Sequence, residues 1–253
     1  MFRTLRRLIH NRLHRVEIYS KPEFWDSKAR EFKDEAVSMW PNNHLNRLYH
    51  KESIEVFDRL LPDVAGKHIL DIGCGSGRLT RHFSDRGAKV IGVDFSPLTI
   101  ELARQQDSRG AAEYRVMSLF DLEEVEQYDY AVSWATLGMA CRNEAELTEC
   151  LKRIGRALKP QGEAVFIEPV HTSFLHRVLS TSPREMVHRM QKTGFDTAPV
   201  QHLSFWPARL LLAFLPWPNW FTRAVYHIGQ FIMNVFFRGR RVGDYQVFYG
   251  KLR

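Results

Sequence analysis

The stretch "HILDIGCGSGRLT" (residues 68–80) joins a short apolar run to three glycines, Gly73, Gly75 and Gly77, at the spacing G-x-G-x-G. A strand that ends in glycines and leads into a helix lets a ligand approach the backbone, where free N–H groups favour anionic groups. Dinucleotide-binding loops share this arrangement but space their glycines G-x-G-x-x-G. The next apolar run ends in Asp94, whose carboxylate is suited to accept two hydrogen bonds from a ribose diol. The stretch predicts a nucleotide-like ligand.

Composition indicates one globular α/β domain with additions. The chain has 253 residues, of which 44% are hydrophobic and 26% charged. Cys74, Cys141 and Cys150 form no C-x-x-C pair, which argues against a zinc site and a disulfide framework and fits a reducing compartment. In the glycine turn, Cys74 is interpreted as a small residue that fits rather than a reactive thiol.

From residue 68 onward, short apolar runs alternate with amphipathic segments. Residues 76–86, 97–106 and 144–158 predict helices. "FDTAPVQHLSF" (195–205) predicts a sixth strand and "DYQVFYGKL" (244–252) the last one. Repeated βαβ units imply a mainly parallel sheet with helices on both faces. The first five strands are predicted from runs buried on both faces: "HILDIG", "AKVIGVDF", "AEYRVMS", "YDYAVSWA" and "GEAVFIEPV".

The pattern divides the chain into four parts. Residues 1–62 carry basic and amphipathic helices expected to form a lid or cap, and residues 63–205 form the nucleotide-binding core. Residues 206–243 are a hydrophobic helical insertion between the sixth and last strands, and residues 244–253 return to the core as its final strand. The insertion far exceeds the few residues that a compact hairpin needs.

Positive charge is concentrated at the two ends of the chain. The net charge is +7, with five arginines in residues 1–20 and seven basic residues in residues 204–253. This balance suits an anionic partner, either nucleic acid or a phospholipid surface. For the first helix we weigh contact with a membrane surface, packing on the protein itself and a mitochondrial presequence.

The insertion also has two interpretations. It is either a cap whose apolar face packs on the sheet domain, or a segment that forms a hydrophobic acceptor pocket and rests on anionic lipid. Its apolar runs are too short and interrupted to span a bilayer. Its proposed helical face consists of Phe221, Val225, Ile228, Ile232, Val235 and Phe236.

Three segments resemble, in the same order, motifs of the class I S-adenosylmethionine-dependent methyltransferases: "LDIGCGSG", "GAKVIGVDFSPLTIELAR" and "LKRIGRALKPQGEAVFIEP". The core is similar to methyltransferases of quinone biosynthesis. The resemblance covers about residues 67–169. It implies a Rossmann-like, seven-stranded sheet whose last strand is antiparallel. It also implies that S-adenosylmethionine is the cofactor and that methyl transfer is the reaction.

The same resemblance assigns residues to the cofactor. Asp71 and Gly73 are expected beside the methionine moiety, within a turn completed by Cys74, Gly75 and Gly77. Asp94 is expected on the ribose hydroxyls. Four further positions are implied: Phe95 against the adenine, Ser118 and Leu119 at the adenine edge, and Ser133 near the sulfonium. Many relatives place an aspartate where this chain has Ser118.

Methyl transfer from a sulfonium needs alignment above all, and a base only if the acceptor must lose a proton. His171, just past the fifth strand, is the first candidate because ligands bind at the carboxyl edge of such sheets and its pKa is near neutral. Glu168 is the alternative base, and it could instead bind a metal with a catechol-like substrate, although no metal site is predicted. Relatives often carry a histidine shortly after the fourth strand, where this chain has Gly138.

The leading hypothesis is a methyltransferase for a small, largely hydrophobic acceptor, such as a quinone-like, lipid or polyketide molecule. A nucleic-acid methyltransferase and a non-catalytic binding protein are the alternatives. Against the first alternative, no N-P-P-Y-like motif follows the fourth predicted strand and the sequence shows no recognisable RNA-binding module. We expect a cytoplasmic location, with peripheral contact to the inner face of a membrane or a mitochondrial location as alternatives. The sequence leaves the oligomeric state open.

Overall fold

A computed structural model describes residues 14–31, 40–170, 179–237 and 243–253. Its elements, in chain order, are α1 (Arg15–Tyr19), α2 (Pro22–Glu31), α3 (Asn43–Leu60), β1 (His68–Ile72), α4 (Arg78–Asp85), β2 (Lys89–Asp94), α5 (Pro97–Gln106), β3 (Glu113–Val116), β4 (Tyr128–Trp134), α6 (Leu137–Ala140), α7 (Glu144–Ala157), β5 (Leu158–Glu168), α8 (Pro183–Lys192), β6 (Phe195–Thr197), β7 (Gln201–Phe205), α9 (Trp206–Leu212), α10 (Asn219–Phe236) and β8 (Gly243–Leu252). A 3₁₀ turn, Leu119–Asp121, follows β3.

The strands form one sheet in the order β3-β2-β1-β4-β5-β8-β6, and β7 also pairs with β8. Strands β1 to β5 run parallel to their neighbours, whereas β8 is antiparallel to β5, β6 and β7. The predicted Rossmann-like α/β fold, with its last strand antiparallel, is confirmed. This topology brings the ends of β1, β2 and β4 to one edge of the sheet.

The predicted sixth strand is divided into two short strands. Thr197 pairs with Gly250 and Gln201 with Val247, so four steps along one strand oppose three along β8. Pro199 lies in the gap, and proline has no N–H for the ladder, so pairing is interrupted there. The sheet therefore has eight segments where the sequence predicts seven continuous strands.

Each face of the sheet carries its own core because the side chains of a strand alternate. Leu70 belongs to the core formed with helices α7 and α8, and its neighbour Ile69 belongs to the core formed with α3, α4 and α10. Both side chains are fully buried. The continuous apolar runs of the sequence follow from this two-sided burial.

Helices α9 and α10 of the insertion pack against α3 through buried polar contacts. The Asn42 amide donates to the Leu212 carbonyl and to Thr222 Oγ1, each at 3.1 Å. The Glu52 carboxylate accepts from the Tyr226 hydroxyl and from the Gln230 amide, each at 2.7 Å. The insertion is thus fixed to the helical layer that precedes the glycine turn.

The buried face of α10 differs from the apolar face that the sequence suggests. Thr222, Tyr226, Gly229 and Met233 are buried, whereas Ile228, Val235 and Phe236 of the proposed face are exposed. The reason is local, since Gly229 approaches Ala208 and Phe205 closely and the Glu52 contacts fix the orientation of the helix. Among the described residues, no helix is both long and apolar enough to cross a membrane.

Candidate functional site

The glycine turn is fixed by β2 on one side and by the loop after β4 on the other. The N–H groups of Gly73 and Cys74 both donate to the Val93 carbonyl, at 2.8 and 3.0 Å. Gly73 has a φ of +66°, and a Cβ there would lie 2.2 Å from Thr136 Oγ1. A Cβ on Gly77 (φ +78°) would lie 2.7 Å from Tyr114 Cε1. Both positions need glycine for space as well as for backbone conformation.

Two carboxylates flank this turn. Asp71, at 1% exposure, accepts from Thr80 Oγ1 at 2.5 Å, and burial raises its pKa to about 7 against the opposing effect of that hydrogen bond. Asp94 accepts from the Gly75 N–H at 3.1 Å and from the Ser96 N–H at 2.9 Å, one bond on each oxygen. Burial raises its pKa to about 6, although both backbone bonds favour the charged form. A cationic ligand nearby would favour ionisation of both groups.

One cavity of about 500 Å³ opens beside the turn, which lies within the usual range for a small-molecule site. Its first wall contains eight of the residues predicted to bind the cofactor: Asp71, Gly73, Cys74, Gly75, Asp94, Phe95, Ser118 and Leu119. Ser118 also begins the 3₁₀ turn, where its Oγ accepts from the Phe120 N–H at 3.2 Å. The structure therefore brings together residues from β1, β2 and β3 that are up to 48 positions apart.

Two predicted site residues, Gly77 and Ser133, lie apart from this wall. Gly77 begins α4 in the left-handed conformation and does not line the cavity. Ser133 is fully buried and donates to Glu168 Oε1 at 2.7 Å. Cys74 does line the cavity, and burial raises the pKa of its thiol well above the usual value, which keeps the sulfur protonated.

Glu168 organises the loop after β4. Its Oε1 accepts from the N–H groups of Thr136 (3.1 Å) and Leu137 (3.0 Å), and its Oε2 accepts from the Gly138 N–H at 3.1 Å. With Ser133, this makes four donors to one carboxyl group that is 1% exposed, and burial raises its pKa. Glu168 is not part of the cavity wall. His171, the other candidate base, lies outside the described residues.

Other residues that line the cavity are aromatic, and the sequence did not assign them to the site. Tyr19 and Trp25 come from the first two helices, and Trp40 and Tyr49 from the region of α3. Tyr245, on β8, completes this aromatic wall. Trp25 and Trp40 belong to a helical pattern in the sequence, but spacing alone does not say which side chains face the glycine turn.

A buried ion pair between Arg209 of the insertion and Asp244 of β8 contacts two residues of the aromatic wall. Arg209 Nε lies 2.9 Å from Asp244 Oδ1, and the two side chains are 16% and 4% exposed. The Tyr49 hydroxyl donates to Asp244 Oδ2 at 3.2 Å, and the Arg209 guanidinium lies 5.6 Å from the Trp40 ring centroid. No described residue of 206–242 lines the cavity, so the insertion contacts it only through such neighbours.

A second cluster adjoins the cavity at the end of β4. The Arg78 guanidinium lies 5.3 Å from the Trp134 ring centroid, and the His50 ring stacks at 5.5 Å from the same side chain. Burial and the nearby Arg78 lower the pKa of His50 to about 3, so this histidine is neutral. Arg78 and Trp134 line the cavity beside the glycine turn.

Comparison with known proteins identifies the part of the chain around this site. Residues 69–162 match the family described as "Methyltransferase domain". The ubiquinone biosynthesis O-methyltransferase of Pseudomonas savastanoi is 34% identical over 107 residues, which is 41% of this chain and 44% of that protein. The enzyme of that name from Acinetobacter baylyi is 23% identical over 208 residues, 72% of this chain and 84% of that protein. The chain spans about half the length of the first of these relatives.

Solved structures share the fold at low sequence identity. Magnesium protoporphyrin IX methyltransferase from Synechocystis PCC 6803, with bound S-adenosylmethionine, superposes with a TM-score of 0.62 at 12% identity, covering 92% of this chain and 95% of that one. A methyltransferase from Mesorhizobium loti gives a TM-score of 0.57 at 17% identity over 78% and 96%. Residues 69–162 therefore match a methyltransferase domain, and the sheet order around the glycine turn and its two carboxylates is a fold that this chain shares with S-adenosylmethionine-dependent methyltransferases.

Proposed function

We propose that the chain is a methyltransferase that transfers the methyl group of S-adenosylmethionine to a small, largely hydrophobic acceptor, such as a quinone-like, lipid or polyketide molecule. One observation carries the proposal. A single cavity joins the glycine turn and its carboxylates to an aromatic wall. Such a cavity can hold a charged nucleotide-like cofactor on one side and an apolar acceptor on the other.

The first wall suits the chemistry of the cofactor. Each Asp94 oxygen accepts one backbone hydrogen bond, which leaves a lone pair on each for a ribose hydroxyl. Phe95 and Leu119 offer apolar surface for the adenine, with Ser118 at its edge. Asp71 and the turn from Gly73 to Gly75 lie where the cationic methionine portion would be favoured by negative charge. When bound, S-adenosylmethionine supplies an electrophilic methyl group on a sulfonium.

The aromatic wall suits a flat, apolar acceptor. Trp40 and Tyr49 pack edge to face at 5.0 Å, and the hydroxyl of Tyr49 is engaged by Asp244, so the rings present hydrocarbon surface in a fixed orientation. The names of the curated relatives support a quinone-like ring modified at oxygen. Under this proposal α1, α2 and Trp40, which precedes α3, form the cap over the acceptor.

We assign different roles to the two candidate bases, Glu168 and His171. Four donors occupy the Glu168 carboxylate, so we assign it to positioning Thr136 and the loop after β4. His171, which comes three residues after the end of β5 in the sequence, is proposed as the base for a hydroxyl acceptor. Replacing His171 by Ala should slow turnover while leaving cofactor affinity unchanged.

Calorimetry with S-adenosylmethionine and S-adenosylhomocysteine tests the cofactor half of the proposal. Asp94→Ala removes both hydrogen-bond acceptors and should weaken binding by about tenfold or more, from about 0.5–1.5 kcal/mol per hydrogen bond. Asp85→Ala is the matched control, because Asp85 is exposed and pairs with Arg109. Failure of the wild-type protein to bind either compound would exclude the methyltransferase function.

A panel of hydroxylated quinols, phenols and lipids tests the acceptor half. With cofactor that carries a deuterated methyl group, mass spectrometry should detect the label on the acceptor oxygen. Trp40→Ala should raise the acceptor KM more than the cofactor dissociation constant. Methylation of RNA, and of no small molecule in the panel, would reject the proposed acceptor class.

A further inference from the structure

The outer face of α10 is apolar although it points to solvent. Its exposed members include Trp220, Ile228, Phe231 and Val235, with exposures of 72%, 59%, 63% and 54%. These positions repeat every three, four or eight residues, so they share one side of the helix. The buried residues, from Thr222 to Met233, occupy the opposite side. We call this surface the outer face of α10.

The preceding segment extends the apolar surface. Leu210, Leu211, Phe214 and Leu215 are between 43% and 63% exposed, and α9 packs against α10. Of the large hydrophobic side chains that are exposed in the described parts of the chain, nine lie in residues 210–236, and the other two are Val116 and Val125. Soluble surfaces do not usually concentrate exposed apolar side chains in this way without a partner.

The charge of the segment favours one kind of partner. Residues 210–243 contain no aspartate or glutamate and have four arginines. Arg223 lies exposed on α10 itself. Two copies of such a surface would bring like charges together, whereas an anionic surface would attract them. Tryptophan beside arginine and long apolar side chains is also the composition of helices that lie in a lipid headgroup region.

We propose that the outer face of α10 docks on a membrane rich in anionic phospholipid. The Glu52 contacts and Gly229 hold the inner face against the domain, so α10 binds lipid as part of the folded protein. Trp220, Ile228 and Phe231 enter the headgroup boundary, and the exposed guanidinium of Arg223 remains at the phosphates. The proposal adds a partner to the proposed function and would place the protein where apolar acceptors are dissolved.

Sedimentation with vesicles tests the proposal without any turnover. Vesicles of phosphatidylcholine with about a third phosphatidylglycerol should carry the protein into the pellet, and phosphatidylcholine alone or high salt should release most of it. The double variant I228E/F231E should lower vesicle binding by at least about tenfold, since two exposed apolar contacts are replaced by negative charge. The variant V125E is the matched control, because Val125 is equally exposed but distant in sequence.

Three results would overturn the proposal. They are equal sedimentation with neutral and anionic vesicles, an equal loss in V125E, and a self-associated wild-type protein that binds no vesicle and becomes monomeric in I228E/F231E. Calorimetric binding of S-adenosylhomocysteine by I228E/F231E should match that of the wild type, which separates loss of docking from loss of fold. Failure of vesicle binding with intact cofactor binding would leave the proposed methyltransferase function standing.

Discussion

Replacing Gly73 by Ala should destabilise the protein more than the same change at another glycine with positive φ. At Gly66, with a φ of +72° and no atom within 4 Å of a new Cβ, only the backbone term applies, at about 1 kcal/mol. At Gly73 a Cβ would overlap Thr136 Oγ1 at 2.2 Å and Thr136 Cγ2 at 2.3 Å. Relief of that overlap adds about 1–3 kcal/mol, so the total is about 2–4 kcal/mol.

Urea unfolding of the two variants measures this difference directly. The Thr136→Gly change should recover most of the added loss when it is combined with Gly73→Ala, because it removes the overlapping atoms and leaves the backbone term. Cofactor affinity should fall in Gly73→Ala and not in Gly66→Ala, since Thr136 and Gly73 both line the cavity. Equal destabilisation by Gly73→Ala and Gly66→Ala would refute the close contact between the glycine turn and the loop after β4.

Two further predictions concern buried charges. Arg209→Met should lower the free energy of unfolding by about 3–5 kcal/mol, because it leaves Asp244 buried without its cation. The control Arg109→Met breaks an exposed ion pair and should change the free energy of unfolding by less than about 1 kcal/mol. Similar urea midpoints for the two variants would contradict this prediction. Burial raises the pKa of Asp71 to about 7, so its protonated form favours the folded state, and that contribution is lost as the pH rises through 7. Without ligand, unfolding free energy should therefore fall by about 2–3 kcal/mol from this group between about pH 5 and 8; Asp71→Asn should remove that part of the slope, and an unchanged slope would show that Asp71 ionises normally.

The placement of the glycine turn and Asp94 beside one cavity was predictable because it depends on local sequence. Gly73, Gly75 and Asp94 stand at the ends of strands that the apolar runs already reveal, and parallel strands bring such ends to one edge of the sheet. The structure adds one distinction among the glycines. A Cβ on Gly73 or Gly77 would overlap a neighbouring side chain, whereas a Cβ on Gly75 would not. At Gly75 the nearest atom to a new Cβ lies 4.0 Å away.

The aromatic wall and the hydrogen bonds of Glu168 depend on contacts between distant segments. Trp40 meets Arg209 across 169 positions of the chain, and Glu168 meets Ser133 across 35. Such contacts follow from the relative placement of helices and strands, which periodicity does not define. The division of the predicted sixth strand has the same cause. Pro199 interrupts the hydrogen-bonded pairing with β8, a strand that comes from the distant C-terminal end of the chain.

The sequence by itself determined the α/β fold, the glycine turn and the resemblance of the core to methyltransferases, because each follows from residues close together in the chain. It also determined the amphipathic character of α10. Only the tertiary structure decided which side of that helix is buried. The hydrogen bonds of Glu52 and the close approach at Gly229 fix Tyr226 inward, and the more apolar side, with Ile228 and Phe231, is left facing solvent.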